Sequence, residues 1–214
     1  MKFKSFFATA AVAVSLILSS CGGSEAPAEA NAENAGTAQE GSATGEQRLA
    51  IDPGASSVKW KGVMLGVKDH FGTIKIKDGY VLLNNGAVTG GEVTVDMNSI
   101  NPTDANYSPK DGYTVEKLVQ HLASPDFFDV ANNPTATFTI TGVNGAEANG
   151  NLTVRGKQNA EVIKNLQVTP GDNTNISGQL TFDRQKYGVS FLLPGKDMII
   201  SDEIVLDFSV AAHK

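Results

Sequence analysis

Three histidines, a lone cysteine and an arginine beside an apolar strand are the residues of this 214-residue chain that invite a chemical reading. His70, His121 and His213 are too far apart to form an HxxxH-type metal pair. There is no GxSxG nucleophile elbow and no phosphate-cradling glycine loop ahead of a helix. No catalytic residue, metal or cofactor is therefore assigned. Two polar residues stand out by alternation. His70 is in phase with Ile74 and Ile76, and Arg184 with Leu180 and Phe182. Both then point toward an apolar interior near strand ends, where a charge is costly unless paired. One reading puts them at a mouth, meeting the polar head of an apolar ligand. The other has Arg184 turned outward by a bulge or paired with an aspartate. His121 flanks a helical apolar stripe and reads as a capping or core residue. Trp60, Phe71, Phe127, Phe128 and Phe138 are suited to line a cavity or to fill a core.

Cys21 has a different logic. Lys2 and Lys4 precede an apolar run, Phe6 to Leu18, that is too short to span a bilayer. Leu18-Ser19-Ser20-Cys21 then matches a bacterial lipobox, so residues 1–20 read as a lipoprotein signal peptide and Cys21 as the lipidated residue. As the single cysteine it has no disulfide partner within the chain. Residues 21–47 are rich in Ala, Glu, Gly, Asn and Ser, with no aromatic, and read as a disordered acidic tether. Loss of Lys2 and Lys4, and of no acid, takes the net charge from -6 to about -8. An acidic chain without a basic stretch argues against nucleic acid. The expected place is the bacterial cell envelope, lipid-anchored, facing the periplasm or the surface. A dimer is left open.

Residues 48–214 must position the candidate groups, and roughly 165 residues suffice for one domain with its own core. Short apolar alternations recur: Leu49 and Ile51, ended by Pro53-Gly54; Val58 and Trp60; His70, Ile74 and Ile76, ended by an Asp78-Gly79 hairpin. Val93, Val95 and Met97 follow, then Ala136, Phe138 and Ile140; Leu152 and Val154; Val162, Leu166 and Val168. Ile176, Gly178, Leu180 and Phe182 form another, and Ile204 to Val210 the last. One helical insertion, about 111–129, interrupts them, with a stripe of Val115, Leu118, Val119 and Leu122. Ser124-Pro125-Asp126 reads as an N-cap that restarts the helix ahead of Phe127-Phe128. Eight or more antiparallel strands need two stacked sheets or a closed barrel, and eight is the size at which a barrel holds one small ligand. Inward glycines at Gly62, Gly72, Gly90 and Gly178 would give curvature or leave room for that ligand.

Trp60 with Gly62, His70-Phe71-Gly72, Val95-Asp96-Met97, the segment HLASPDFFDV, Pro134-Thr135-Ala136-Thr137-Phe138, Gly150-Asn151-Leu152-Thr153 with Gly156, and Asp183-Arg184 with Tyr187-Gly188 occur in that order. Together they resemble the YceI family over essentially the whole domain. The resemblance implies an all-β, extended lipocalin-like antiparallel barrel with a long apolar tunnel. It also implies binding of polyisoprenoid or similar lipids. The residues expected to meet such a ligand are Trp60, His70, Phe71, Phe127, Phe128, Phe138, Arg184 and Tyr187. Lys157-Gln158-Asn159-Ala160 departs from the family's Thr-Lys-Pro-like turn and leaves the strand geometry there open. Each buried methylene contributes about 0.8 kcal/mol, so a chain ligand needs little head-group recognition. The expectation is a lipid-binding envelope lipoprotein, for carriage or sequestration of an isoprenoid, quinone-like or fatty molecule, and not an enzyme. The alternatives are an enzyme acting on such a lipid with His70 and Arg184 at the mouth, or a structural lipoprotein whose barrel is filled by its own side chains.

Overall fold

The computed structural model describes residues 45–65, 68–191 and 199–214. Cys21, the 1–20 leader and the tether up to residue 44 lie outside the described residues. The expected all-β barrel is present. Eight strands, β1 (Glu46–Leu65), β2 (Lys68–Asn84), β3 (Ala87–Pro102), β4 (Thr135–Asn144), β5 (Glu147–Val154), β6 (Lys157–Thr169), β7 (Thr174–Asp183) and β8 (Ile199–His213), run antiparallel in chain order. β1 pairs with β8 and closes the sheet. Helix α1 (Val115–Ala123) lies between β3 and β4, and a 3-10 turn, Arg184–Tyr187, follows β7.

Several turn signals act as bulges instead. Pro53-Gly54 does not end β1. The Asp52 carboxylate accepts from the Gly54 and Ala55 N–H groups, Ser56 Oγ donates back to the Asp52 carbonyl, and the strand continues with shifted register against β8. Asp78-Gly79 is no hairpin either. β2 runs straight through it, because a Cβ at Gly79 would lie 2.5 Å from the Glu92 carbonyl and the bare backbone is what lets β3 approach. The shift there moves the buried face from Ile74 and Ile76 to Val81 and Leu83. In β6, Asn165 at φ +55° does the same, so that Ile163, and not the expected Val162, shares the interior with Leu166 and Val168. At Lys157 the strand is regular: a turn through Arg155 and Gly156, both at positive φ, sets Val154 opposite Lys157.

The helical insertion is shorter than the expected 111–129. Thr114 caps α1 by accepting from the Lys117 N–H at 3.3 Å. Ser124, expected to start a helix, ends one. The proline that follows it excludes the helical region, so Ser124 sits at φ -70°, ψ 164°, and its hydroxyl donates to the His121 carbonyl at 2.7 Å. The chain then folds back, with the Phe128 and Val130 N–H groups donating to the carbonyls of Leu122 and Ala123. That places Phe127 and Phe128 beneath the helix, with ring centroids 5.0 Å apart. The last strand is longer than the Ile204 to Val210 alternation, since β8 begins at Ile199.

The four inward glycines separate into two kinds. A Cβ at Gly72 would lie 2.2 Å from the Asn101 carbonyl oxygen, and one at Gly178 would strike Ile163 and Phe208. At Gly90 it would press on Leu82. Only at Gly62 does a Cβ find ordinary contact, 3.5 Å from Ile204 Cδ1. Three of these glycines thus let strands and side chains close in, and the fourth leaves room for a Cβ. Gly72→Ala is expected to cost about 3 kcal/mol in urea unfolding, through overpacking against backbone. Gly142→Ala, where a Cβ would meet nothing within 4 Å, should change stability by less than about 1 kcal/mol.

Candidate functional site

The barrel interior is not filled. Trp60, Val93, Val95, Ile140, Leu206 and Phe208 pack against the buried core yet stay only half-buried, because they border a cavity of about 300 Å³. The walls carry Val58, Ile74, Ala136, Leu152, Ile163, Ile176, Leu180 and Phe182 from every side of the sheet. Leu118, His121 and Leu122 of α1, with Phe127 and Phe128, close in at one end. No residue of α1 is fully buried, as expected for a stripe that faces a void rather than packed side chains. The size falls at the lower end of the roughly 300–1,000 Å³ typical of small-molecule sites.

Of the eight residues expected to meet a ligand, five border the cavity: Trp60, His70, Phe127, Phe128 and Phe138. The Trp60 indole N–H is already used, donating to the Thr73 carbonyl at 3.1 Å, so the ring offers only its apolar faces. Phe71 does not belong with them. It follows His70 on the strand, points to the opposite side and is 46% exposed. Tyr187 is fully buried but outside the cavity wall. Its ring packs edge-on to Phe182 at 5.3 Å, and its hydroxyl donates to Glu161 at 3.1 Å. Burial and the Glu161 charge push that hydroxyl well above the ordinary tyrosine range.

Arg184 is corrected as well. It sits past the end of β7, in the 3-10 turn, and its residue exposure is 1%. Nε donates to the Ser201 carbonyl, Nη1 to those of Val189 and Phe191, and Nη2 to the Ile200 carbonyl and the Asp202 carboxylate. A guanidinium has five N–H donors, and all five are engaged. The group holds the chain after β7 against the start of β8 and has no donor left for a ligand. The sequence alternative of a paired, structural arginine is the one observed.

His70 has the opposite character. Nδ1 lies 3.2 Å from Asp104 Oδ2, and the ring stacks at a tilt 5.7 Å from Tyr107. Asp104 also accepts from the Phe71 N–H, the Asn106 N–H and the Tyr107 hydroxyl. Burial works against its charge, but the hydrogen bonds outweigh it and hold the carboxyl below the usual carboxylate range. Burial and the Asp104 carboxylate raise the Tyr107 hydroxyl in turn. Asp104 and Tyr107 lie in the chain between β3 and α1, where no strand alternation or helical stripe marks them. His121, set aside in the sequence, also reaches the cavity, its ring 4.5 Å from Phe191 and 5.4 Å from Phe127. Its position within the stripe of Leu118 and Leu122 is the signal that marks it.

Arg184→Lys keeps the charge but not the fork. It is expected to lower the unfolding free energy by about 2–3 kcal/mol in urea titrations, through unsatisfied carbonyls.

Comparison with known proteins bears on this geometry. Residues 49–212 match the model of the YceI-like domain. A UPF0312 protein of Pseudomonas aeruginosa (strain LESB58) is 33% identical over 108 residues, covering 46% of this chain and 51% of that protein. Protein YceI of Salmonella arizonae is 30% identical over 113 residues, covering 51% and 54%. The chain thus spans about half the length of the curated relatives it matches. Among solved structures, Burkholderia cenocepacia BcnA superposes with a TM-score of 0.57 at 20% identity, covering 76% of this chain and 99% of that one. A polyisoprenoid binding domain from Saccharophagus degradans, implicated in plant cell wall breakdown, gives 0.50 at 12% identity, covering 77% and 97%. These two likenesses are of fold. With the family model matched over nearly the entire barrel, the chain belongs to the YceI-like domain family.

Proposed function

We propose that this protein binds the hydrocarbon part of a long-chain lipid, polyisoprenoid, quinone-like or fatty, inside the barrel, and that it carries or sequesters that lipid at a bacterial envelope membrane. The observation that carries the reading is the cavity, about 300 Å³ and walled almost wholly by apolar side chains. The side chains that line it lack packing partners on the cavity side. A chain ligand restores those contacts and gains about 0.8 kcal/mol for each methylene removed from water. The polyisoprenoid-binding domain with the same fold supports this chemistry. The filled-barrel alternative is disfavoured by the half-buried state of residues such as Val95 and Leu206, which a packed interior would enclose. The enzyme alternative loses its pair, because Arg184 has no donor to give a substrate.

The membrane part of the reading rests on Cys21 and the lipobox before it. Two or three acyl chains on that residue hold a protein stably at a bilayer, where one chain holds it marginally. In this reading the acylated chain faces the periplasm or the cell surface.

Trp60 is the only tryptophan and borders the cavity, so ligand entry is readable directly. Titration of the full-length chain with farnesol is expected to shift Trp60 emission saturably and to add the ligand mass in native mass spectra. A clean unliganded mass with no uptake would contradict the reading. Gly62→Leu, which sends a side chain into the void from a position with room for a Cβ, should leave folding intact and weaken uptake at least tenfold. For the anchor, cells fed labelled palmitate should label the wild-type chain and not Cys21→Ser, with the variant leaving the membrane fraction; equal labelling would remove the anchor from the account.

A further inference from the structure

Asp104 does more than satisfy a buried histidine. Its side chain is fully buried, whereas that of His70 is 21% exposed and borders the cavity. The carboxylate, acceptor-only and kept ionised, receives hydrogen bonds from Phe71, Asn106 and Tyr107, and the contact to His70 Nδ1 is therefore one in which the imidazole must donate. That fixes the tautomer. In the neutral imidazole Nδ1 carries the hydrogen, and Nε2 on the far side of the ring presents a lone pair. Among the described residues nothing hydrogen-bonds to Nε2. The neighbouring polar groups are otherwise committed: the Trp60 N–H to Thr73, the Tyr107 hydroxyl to Asp104, and all five Arg184 donors to carbonyls and Asp202. His121 reaches the same cavity, but only rings contact it and no carboxylate orients it.

We propose that His70, positioned by Asp104 through Nδ1, anchors the head group of the bound lipid, and that Nε2 selects a head that donates a hydrogen bond, a hydroxyl. This rests on the lipid-binding reading above and narrows it. The cavity, whose lining also carries Tyr80, Glu92 and Thr137, holds the chain, and the oriented imidazole acceptor discriminates a long-chain alcohol from its ether or hydrocarbon counterpart. Asp104 is a positioning residue, and its effect passes through the imidazole.

The test compares farnesol with farnesyl methyl ether, identical in chain but lacking the donor, by Trp60 fluorescence on the full-length chain. The alcohol is expected to bind roughly three- to tenfold more tightly. His70→Leu should erase that ratio while both ligands still bind, and His70→Gln, which retains an acceptor oxygen, should restore part of it. Long-range ¹H–¹⁵N spectra should show His70 protonated at Nδ1 and bare at Nε2, a bias that Asp104→Asn removes, and the alcohol-to-ether ratio should fall with it. Equal affinity of the wild type for alcohol and ether, or an Nε2-protonated His70, would overturn the head-group assignment and leave the cavity reading standing. Binding of neither ligand would overturn both.

Discussion

Closure of the sheet is the constraint on which the rest of this structure depends. Because β1 pairs with β8, the eight strands meet their hydrogen-bonding needs within the wall. Most of the backbone is therefore paired strand to strand, and few interior side chains, such as Trp60 at the Thr73 carbonyl, serve it. The inward faces can then be apolar throughout and still leave space unfilled, which an open sheet exposing the same residues to water would not tolerate. Bulges at Asp52–Ser57, Ile76–Asp78 and Lys164–Gln167 let long strands bend around that space, re-aiming the inward set each time.

The cavity and the clamps around it divide the work. Apolar side chains from every strand wall the cavity. Polar side chains at the α1 end supply shape. Arg184 gives all its donors to fixing the chain on either side of the 192–198 segment, and Arg155 spans from the β5–β6 turn to the carbonyls of Pro125 and Gly188. Arg184, the buried one of the two, is costly to bury and is tolerated because all five of its donors are met. His70 differs from both arginines in having one nitrogen committed to Asp104 and the other without a hydrogen bond among the described residues. That asymmetry makes it the polar residue of the cavity suited to address a ligand.

Much of the architecture was legible in the sequence, for identifiable reasons. Alternation over Ala136–Ile140 or Ile204–Val210 reports a strand with one buried face wherever the strand stays regular, and there it succeeded. It failed where a bulge changes the phase, because a bulge is set by the neighbouring strand: Gly79 looks like a turn residue until Glu92 is known to lie against it. Arg184 was misplaced because the strand rhythm was carried past Asp183, where the chain turns into a 3-10 helix. Ser124 was read in isolation as an N-cap, although Pro125 beside it excludes the helical region and makes it a terminus. Of the site, the aromatics were found by type and family segment. Phe71 was grouped with His70 although strand geometry sends neighbours to opposite faces. Asp104 carried no periodic signal, since its role comes from a loop brought back to the start of β2 by tertiary structure.

The central claim is that a hydrocarbon chain lies inside the barrel. The most direct measurement is the pattern of intermolecular nuclear Overhauser effects between a bound farnesol and the methyl groups of the methyl-labelled protein. The account predicts contacts from the chain to Val95, Leu152 and Leu180 in the cavity wall, with the hydroxyl-bearing end nearest His70. Contacts confined to the outer surface around the exposed Phe71 and Tyr113, with the wall methyls silent, would contradict it.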